Sequence, residues 1–226
     1  MEDVFNRNKI AMILNYIIVV FVIIATITMF TGFKFMYGQE PVLESSTFGM
    51  FRFFTVDSNL LMGFTALLLA IQEKKLLIGK ITKIPKIYYL LKLMGTVSVT
   101  LTILVTMSYL GTIAPGGIIS LLQNSNLFYH LIIPLLSIIA FCFFEKTNII
   151  KFKNTIYGVI PMFIYGLYYL VNILIHIENG KVSTKYDWYW FVQKDINQIY
   201  IIFPLIFIIT FIISIILWII NKTNKK

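Results

Sequence analysis

The sequence predicts an all-α, polytopic membrane protein: six transmembrane helices in one bundle, with both termini cytoplasmic. Three observations carry this expectation. Hydrophobic residues make up 58% of the chain and charged residues only 13%, with a mean hydropathy of +0.84, too apolar for an ordinary soluble domain. The apolar residues fall into runs of about twenty, the length a helix needs to cross a hydrocarbon core. The lysines gather in the short connections between those runs.

Taken in order, the first span covers about residues 10–31, preceded by Arg7 and Lys9. It is long for a signal-peptide core, and no small-residue cleavage pattern follows it, so it reads as a membrane helix. A loop at about 32–49 contains Lys34, Glu40, Pro41 and Glu44. The second span, about 50–71, opens with polar residues and ends in Glu73, Lys74 and Lys75. Its connection to the third adds Lys80, Lys83, Lys86 and a break at Pro85. The third span, about 87–110, carries Thr96, Ser98, Thr100, Thr102, Thr106 and Ser108. Such hydroxyls bond back to their own helix or to a neighbour, so they read as helix contacts.

The connection at 111–126 has no charge and contains Pro115-Gly116-Gly117, a turn signal. Its leucines and isoleucines suggest that it dips into the interface or against the bundle. The fourth span covers about 127–144 and is followed by Glu145, Lys146, Lys151 and Lys153. The fifth, about 155–177, is rich in tyrosine and interrupted by Pro161. A polar loop with Asp187 and the aromatic run Trp188-Tyr189-Trp190-Phe191 leads to the sixth span, about 196–220, and then Lys222, Lys225 and Lys226.

Of the 19 lysines and arginines, only Lys34, Arg52, Lys181, Lys185 and Lys194 fall on the side opposite the termini. The richer side is expected in the cytoplasm. This distribution also accounts for the net charge of +9 through attraction to anionic lipid headgroups, which excludes a nucleic-acid reading. The 188–191 aromatic run is then expected at the outer interface. Cys142 is the only cysteine, so an intrachain disulfide or a cysteine metal cluster is excluded, and it reads as an apolar filler. The three-helix halves show no convincing similarity to each other, and no separate soluble domain is expected.

The candidate site begins at 51–62, which reads Phe-Arg-Phe-Phe-Thr-Val-Asp-Ser-Asn-Leu-Leu-Met. On one helix, Arg52, Thr55, Ser58 and Asn59 share a face, and Asp57 points roughly the other way. Hydrocarbon offers these groups no partners, so the stripe must face protein or water. His130 lies inside the fourth span, sharing a face with Asn126 and Pro134. Pro134 cannot donate to the carbonyl of residue 130, so the helix is expected to kink or loosen there. His176, by contrast, reads as an interfacial residue.

Thr55 is about five residues into its span, roughly 7–8 Å at 1.5 Å per residue, and His130 is a similar distance into its own. Both spans start on the same side, so the two residues are expected at comparable depth. A hydroxyl beside an imidazole is the minimum arrangement for nucleophilic catalysis. The alternative is a threonine bonded to its own backbone and a histidine bridging helices. Asn59 and Ser58 are candidates to assist the reaction. Arg52 is a candidate for a substrate carboxylate or lipid phosphate, or else a residue snorkelling to the headgroups. No acid to orient His130 is evident.

The runs Phe53-Phe54-Thr55-Val56-Asp57-Ser58-Asn59-Leu60-Leu61, Tyr129-His130-Leu131-Ile132-Ile133-Pro134 and Pro161-Met162-Phe163-Ile164-Tyr165 occur in this order. Together they resemble the androgen-induced membrane protein family and its bacterial six-span relatives. The resemblance implies a threonine hydrolase that cleaves fatty-acid esters of hydroxy fatty acids, with Thr55 as nucleophile and His130 as its histidine. The chain departs from the bacterial pattern near the fifth and sixth spans, where His176 and Asp187-Trp188-Tyr189-Trp190 stand in place of an arginine and a Tyr-Pro-rich run. Lys-, Ile- and Asn-rich usage fits a low-GC bacterium, and hence a bacterial plasma membrane.

No Gly-x-Ser-Gly, His-Glu-x-x-His or Gly-x-Gly-Asp motif is present, and no glycine-rich phosphate loop. The expected cofactor set is empty and two distant histidines make a poor metal site. The expected partners are membrane lipids and a lipid-ester substrate. A small transporter or lipid-binding scaffold using the same polar cluster is the competing expectation, and a purely structural membrane protein a third.

Overall fold

A computed structural model describes residues 2–36, 42–145, 149–192 and 195–223, with side chains from residue 5. Glu40, Pro41, Lys146, Lys194, Lys225 and Lys226, which enter the sequence reading above, lie outside the described residues. Six helices are long and apolar enough to cross a membrane. They are α1 (Glu2–Thr31), α2 (Phe54–Leu77), α3 (Lys86–Ile113), α4 (Ser125–Phe144), α5 (Phe152–Ile175) and α6 (Ile196–Thr223). The only strands among the described residues, Ile177–Glu178 and Lys181–Val182, pair antiparallel in a short hairpin after α5.

α3 packs against α2, α4, α5 and α6, while α1 packs on α2 and α4. α2 and α3 are accordingly the most buried of the six, and α1 and α6 the least. Along α6, Ile201, Leu205, Ile208, Ile212 and Ile216 are all exposed at helical spacing. Such a long apolar stripe is untenable in water and ordinary against lipid, as expected of an integral membrane protein. Close approach of α2 to its neighbours depends on glycine. A methyl at Gly63 would meet Val22 Cγ1 at 2.9 Å, and one at Gly95 would meet Thr65 Oγ1 at 2.7 Å.

The spans differ in detail from those expected. The second does not start as one helix at residue 50. Thr47–Arg52 form a separate 3₁₀ turn, and Phe53 is extended (φ −92°, ψ 126°) before α2 begins at Phe54. α2 also continues to Leu77 instead of ending near 71, because Glu73 finds buried partners. α5 opens with a 3₁₀ segment, Phe152–Val159, and becomes α-helical at Ile160 with Pro161 in its first turn, where the missing N–H costs nothing. α4 does not simply kink at Pro134. It adopts π geometry over Phe128–Ile132 and again over Ala140–Phe144. A proline that cannot donate the α-register bond is accommodated by widening the preceding turn.

Near the end that carries both termini, four buried side chains lock α1, α2, α3 and the end of α4 together. Asn15 donates to Glu73 Oε2 at 3.2 Å and to Glu145 Oε1 at 3.0 Å. Lys92 donates to Asn15 Oδ1 at 2.5 Å and pairs with Glu145 at 3.3 Å. Lys92 and Asn15 are 0% exposed, and Glu73 and Glu145 3%. Lys92, which the sequence places just inside the third span, is thus an interior residue.

Removing one member of such a set strands a buried charge, which is far costlier than never having buried the pair. Lys92→Met is expected to destabilise the protein by about 3–5 kcal/mol. Lys92→Met with Glu145→Gln is expected to recover part of that loss, measured as unfolding by SDS titration in mixed micelles.

Candidate functional site

The site lies at the opposite end of the helices from this charged cluster. Phe53, by being extended, ends the preceding 3₁₀ turn and leaves its carbonyl to accept from Val56 N and Asp57 N in the first turn of α2. Phe54 supplies the first amide of α2, a donor with no acceptor within the helix. The Tyr189 hydroxyl accepts it at 2.7 Å. Thr55 is therefore the second residue of α2, 7% exposed, immediately inside that capped end.

His130 sits in the first π turn of α4 and is 0% exposed. Its Nδ1 lies 2.6 Å from the carbonyl oxygen of Leu121, and its Nε2 lies 3.3 Å from Thr55 Oγ1. A carbonyl can only accept, so Nδ1 carries the proton and Nε2 presents a lone pair to the Thr55 hydroxyl, which donates to it. A hydroxyl donating to an imidazole lone pair is the geometry that nucleophilic catalysis uses, here with a backbone carbonyl rather than a carboxylate on the far ring nitrogen. Leu121 is itself fully buried. The uncharged connection before α4 thus turns inward and supplies a group that reads the histidine's tautomer.

The other sequence candidates take different places. Asn59 donates to the Thr55 carbonyl at 2.7 Å and to the Tyr129 carbonyl at 3.1 Å. Both amide hydrogens are committed, so Asn59 ties α2 to α4 beneath the dyad and is not available to a reacting oxygen. The Ser58 hydroxyl lies within hydrogen-bond distance of both the Thr55 carbonyl, at 3.1 Å, and the Thr102 hydroxyl of α3, at 3.0 Å. It too braces the turn. Arg52 is separated from the Thr55 face by the break at Phe53, so the expected continuous stripe does not form. Its guanidinium stands 4.7 Å from the Phe53 ring centroid and 6.0 Å from that of Trp188. Its Nε has no partner among the described residues. Asn126 turns away to staple the first loop, donating to the Val42 carbonyl at 2.9 Å. The widened turn breaks the four-residue spacing that would align it with His130. Asp57 lines a separate groove between α2 and α5, with Pro161, Ile164 and Tyr168.

Thr55 opens onto a small apolar cavity between α2, α3, α5 and α6. Thr102, Thr106, Tyr165, Tyr189 and Phe203 are among its walls. One wall was not foreseen. The 188–191 aromatic run folds inward against the protein, and Trp188, Tyr189 and Phe191 are buried. Asp187 drives this: its carboxylate accepts from Phe191 N and Val192 N, each at 2.9 Å, and from the Tyr169 hydroxyl. Trp190 takes a left-handed backbone (φ 58°) to close the loop. Burial pushes the Tyr189 phenol up to about 12, so it stays neutral while capping α2 and facing Thr55. His176 stacks on Tyr186 at 3.5 Å near the hairpin and takes no part in the site.

Tyr189 and the Leu121 carbonyl are the site members that sequence reasoning missed. The first was visible only as part of an aromatic run, and the second only as an unusually apolar connection. Because Asn59 joins two helices through two buried bonds, Asn59→Leu is expected to cost about 1–3 kcal/mol. Unfolding in mixed micelles checks this. Comparison with family models, curated proteins and solved structures found no match.

Proposed function

We propose that the chain is an intramembrane hydrolase of a lipid ester, with Thr55 as nucleophile and His130 as general base. The observation that supports this best is the buried Thr55–His130 contact with its lone pair aimed at the hydroxyl. At 3.3 Å it is slightly long, the usual state of a catalytic hydrogen bond before substrate tightens it.

The chemistry balances with these two groups and water. His130 Nε2 takes the Thr55 proton as Oγ1 attacks the ester carbonyl, and the tetrahedral intermediate collapses by expelling the alcohol, which receives that proton. Water then attacks the acyl-threonine with His130 again as base, releasing a carboxylic acid and restoring Thr55. The imidazolium formed in each half is held by the Leu121 carbonyl dipole. The apolar cavity suits an acyl chain, and Arg52, just before the break at Phe53, suits a carboxylate on the substrate. That pairing, with the motif resemblance described above, favours a fatty-acid ester of a hydroxy fatty acid. The six spans are taken as one bundle with both termini in the cytoplasm, so the site opens toward the outer leaflet of a bacterial plasma membrane.

A second reading, a proton-coupled carrier or lipid-binding scaffold, draws support from the buried set at the other end, where two carboxylates face one lysine. Such a protein tolerates Thr55→Ala, whereas a nucleophile does not.

Fluorophosphonate treatment of the detergent-purified protein is expected to give one adduct on Thr55. It should be abolished in Thr55→Ala and slowed roughly a thousandfold in His130→Ala. Intact mass and peptide mapping read the outcome, and an unlabelled, folded wild type counts against the hydrolase. For the topology, Thr184→Cys, exposed beside the hairpin, is expected to react with a membrane-impermeant maleimide in intact cells.

A further inference from the structure

α3 carries hydroxyls along much of its length, and they follow one rule with one exception. Thr96, Ser98, Thr100, Thr102 and Ser108 each donate to the carbonyl four residues back, at 2.7–3.2 Å, and Thr112 donates three back at 2.6 Å. Thr106 does not. It is 1% exposed, its Oγ1 has no partner among the described residues, and it lines the same cavity as Thr55. It is also the first residue of a π turn, Thr106–Leu110. Such turns interrupt the regular back-bonding of a helix and occur often at functional sites.

Its depth follows from a contact already described. The 3.0 Å bond between Ser58 and Thr102 sets the register of α2 against α3, which run in opposite directions. From that bond, Thr55 lies three residues nearer the site end along α2, and Thr106 four residues nearer along α3. At 1.5 Å per residue these are rises of roughly 4.5 and 6 Å. The unpartnered hydroxyl is therefore almost level with the reacting one, on the facing wall of one cavity.

We propose that the Thr106 hydroxyl is a ligand contact that donates to the carbonyl or carboxylate oxygen of an acyl group held beside Thr55. The acyl chemistry rests on the hydrolase reading. A buried hydroxyl in an apolar cavity is a standing deficit that a ligand oxygen removes, and two polar side chains close to it are already committed. Ser58 is bonded to Thr102 and to the Thr55 carbonyl, and the Tyr165 hydroxyl donates to the Arg52 carbonyl at 2.6 Å. In the hydrolase, Thr106 then stabilises the oxyanion that forms when Thr55 attacks.

The test compares wild type, Thr106→Val and Thr106→Ser by two readouts on the full chain in detergent. One is the rate of a long-chain fluorophosphonate reacting at Thr55, whose phosphoryl oxygen occupies the oxyanion position. The other is the shift in melting temperature caused by oleate, which needs no catalysis. The valine variant keeps the shape and loses the hydroxyl, and the serine variant keeps the hydroxyl. The expected result is labelling slowed on the order of a hundredfold and a lost oleate shift in Thr106→Val, with both retained in Thr106→Ser. Labelling and an oleate shift that are unchanged in Thr106→Val overturn the inference while leaving the hydrolase standing. An unlabelled wild type whose oleate shift vanishes in Thr106→Val overturns the hydrolase and upholds the contact. An oleate shift that is absent from the wild type, or equal in all three proteins, overturns the contact.

Discussion

Hydrocarbon offers a polar group nothing to bond to, and this constraint organises the molecule. A polar side chain within a span needs a partner in the protein, and where that partner lies on another helix the bond fixes the two helices relative to one another. Asn15 and Lys92 join α1, α2 and α3 to the end of α4 at one end. Ser58 joins α2 to α3 and Asn59 joins α2 to α4 near the other. Apolar packing alone gives membrane helices little orientational preference, because lipid tails are as apolar as leucine. The polar bonds therefore select the register, and the Thr55–His130 contact is a consequence of that register.

The same constraint explains what the sequence revealed. The spans were legible because their length and apolarity are set by bilayer thickness, a local property of the chain. The level placement of Thr55 and His130 was legible too, since counting residues into two spans that start on the same side needs only the helical rise. The break at Phe53 was not. It depends on Tyr189, 135 residues away, accepting the first amide of α2. The inward fold of the 188–191 run was hidden for a similar reason, because it is fixed by the many bonds Asp187 makes to Tyr169 and its own loop. Asn59 and Ser58 read as free to assist chemistry because their partners, the Tyr129 carbonyl and the Thr102 hydroxyl, belong to other helices.

Using a carbonyl in place of an acid to orient the histidine suits the setting. A carboxylate at this depth would need its own partners or a proton, as the Glu73–Glu145 pair at the other end illustrates. A carbonyl is neutral, already present, and fixed by the fold of the connection that bears it. The arrangement holds the imidazole firmly, but it offers a weaker field to the imidazolium than a carboxylate would.

The π turn at Phe128–Ile132 gives α4 one more residue in that turn than an α-helix would have. Each residue of an α-helix advances the face by about 100°. Everything after the turn is thus rotated by that amount relative to the segment carrying Asn126, and His130 takes its direction from within the widened turn. The dyad is keyed to a count as much as to identities. A chain that kept Thr55, His130 and Pro134 but lost a single residue between Leu127 and Pro134 would preserve its motif to the eye and send the imidazole elsewhere.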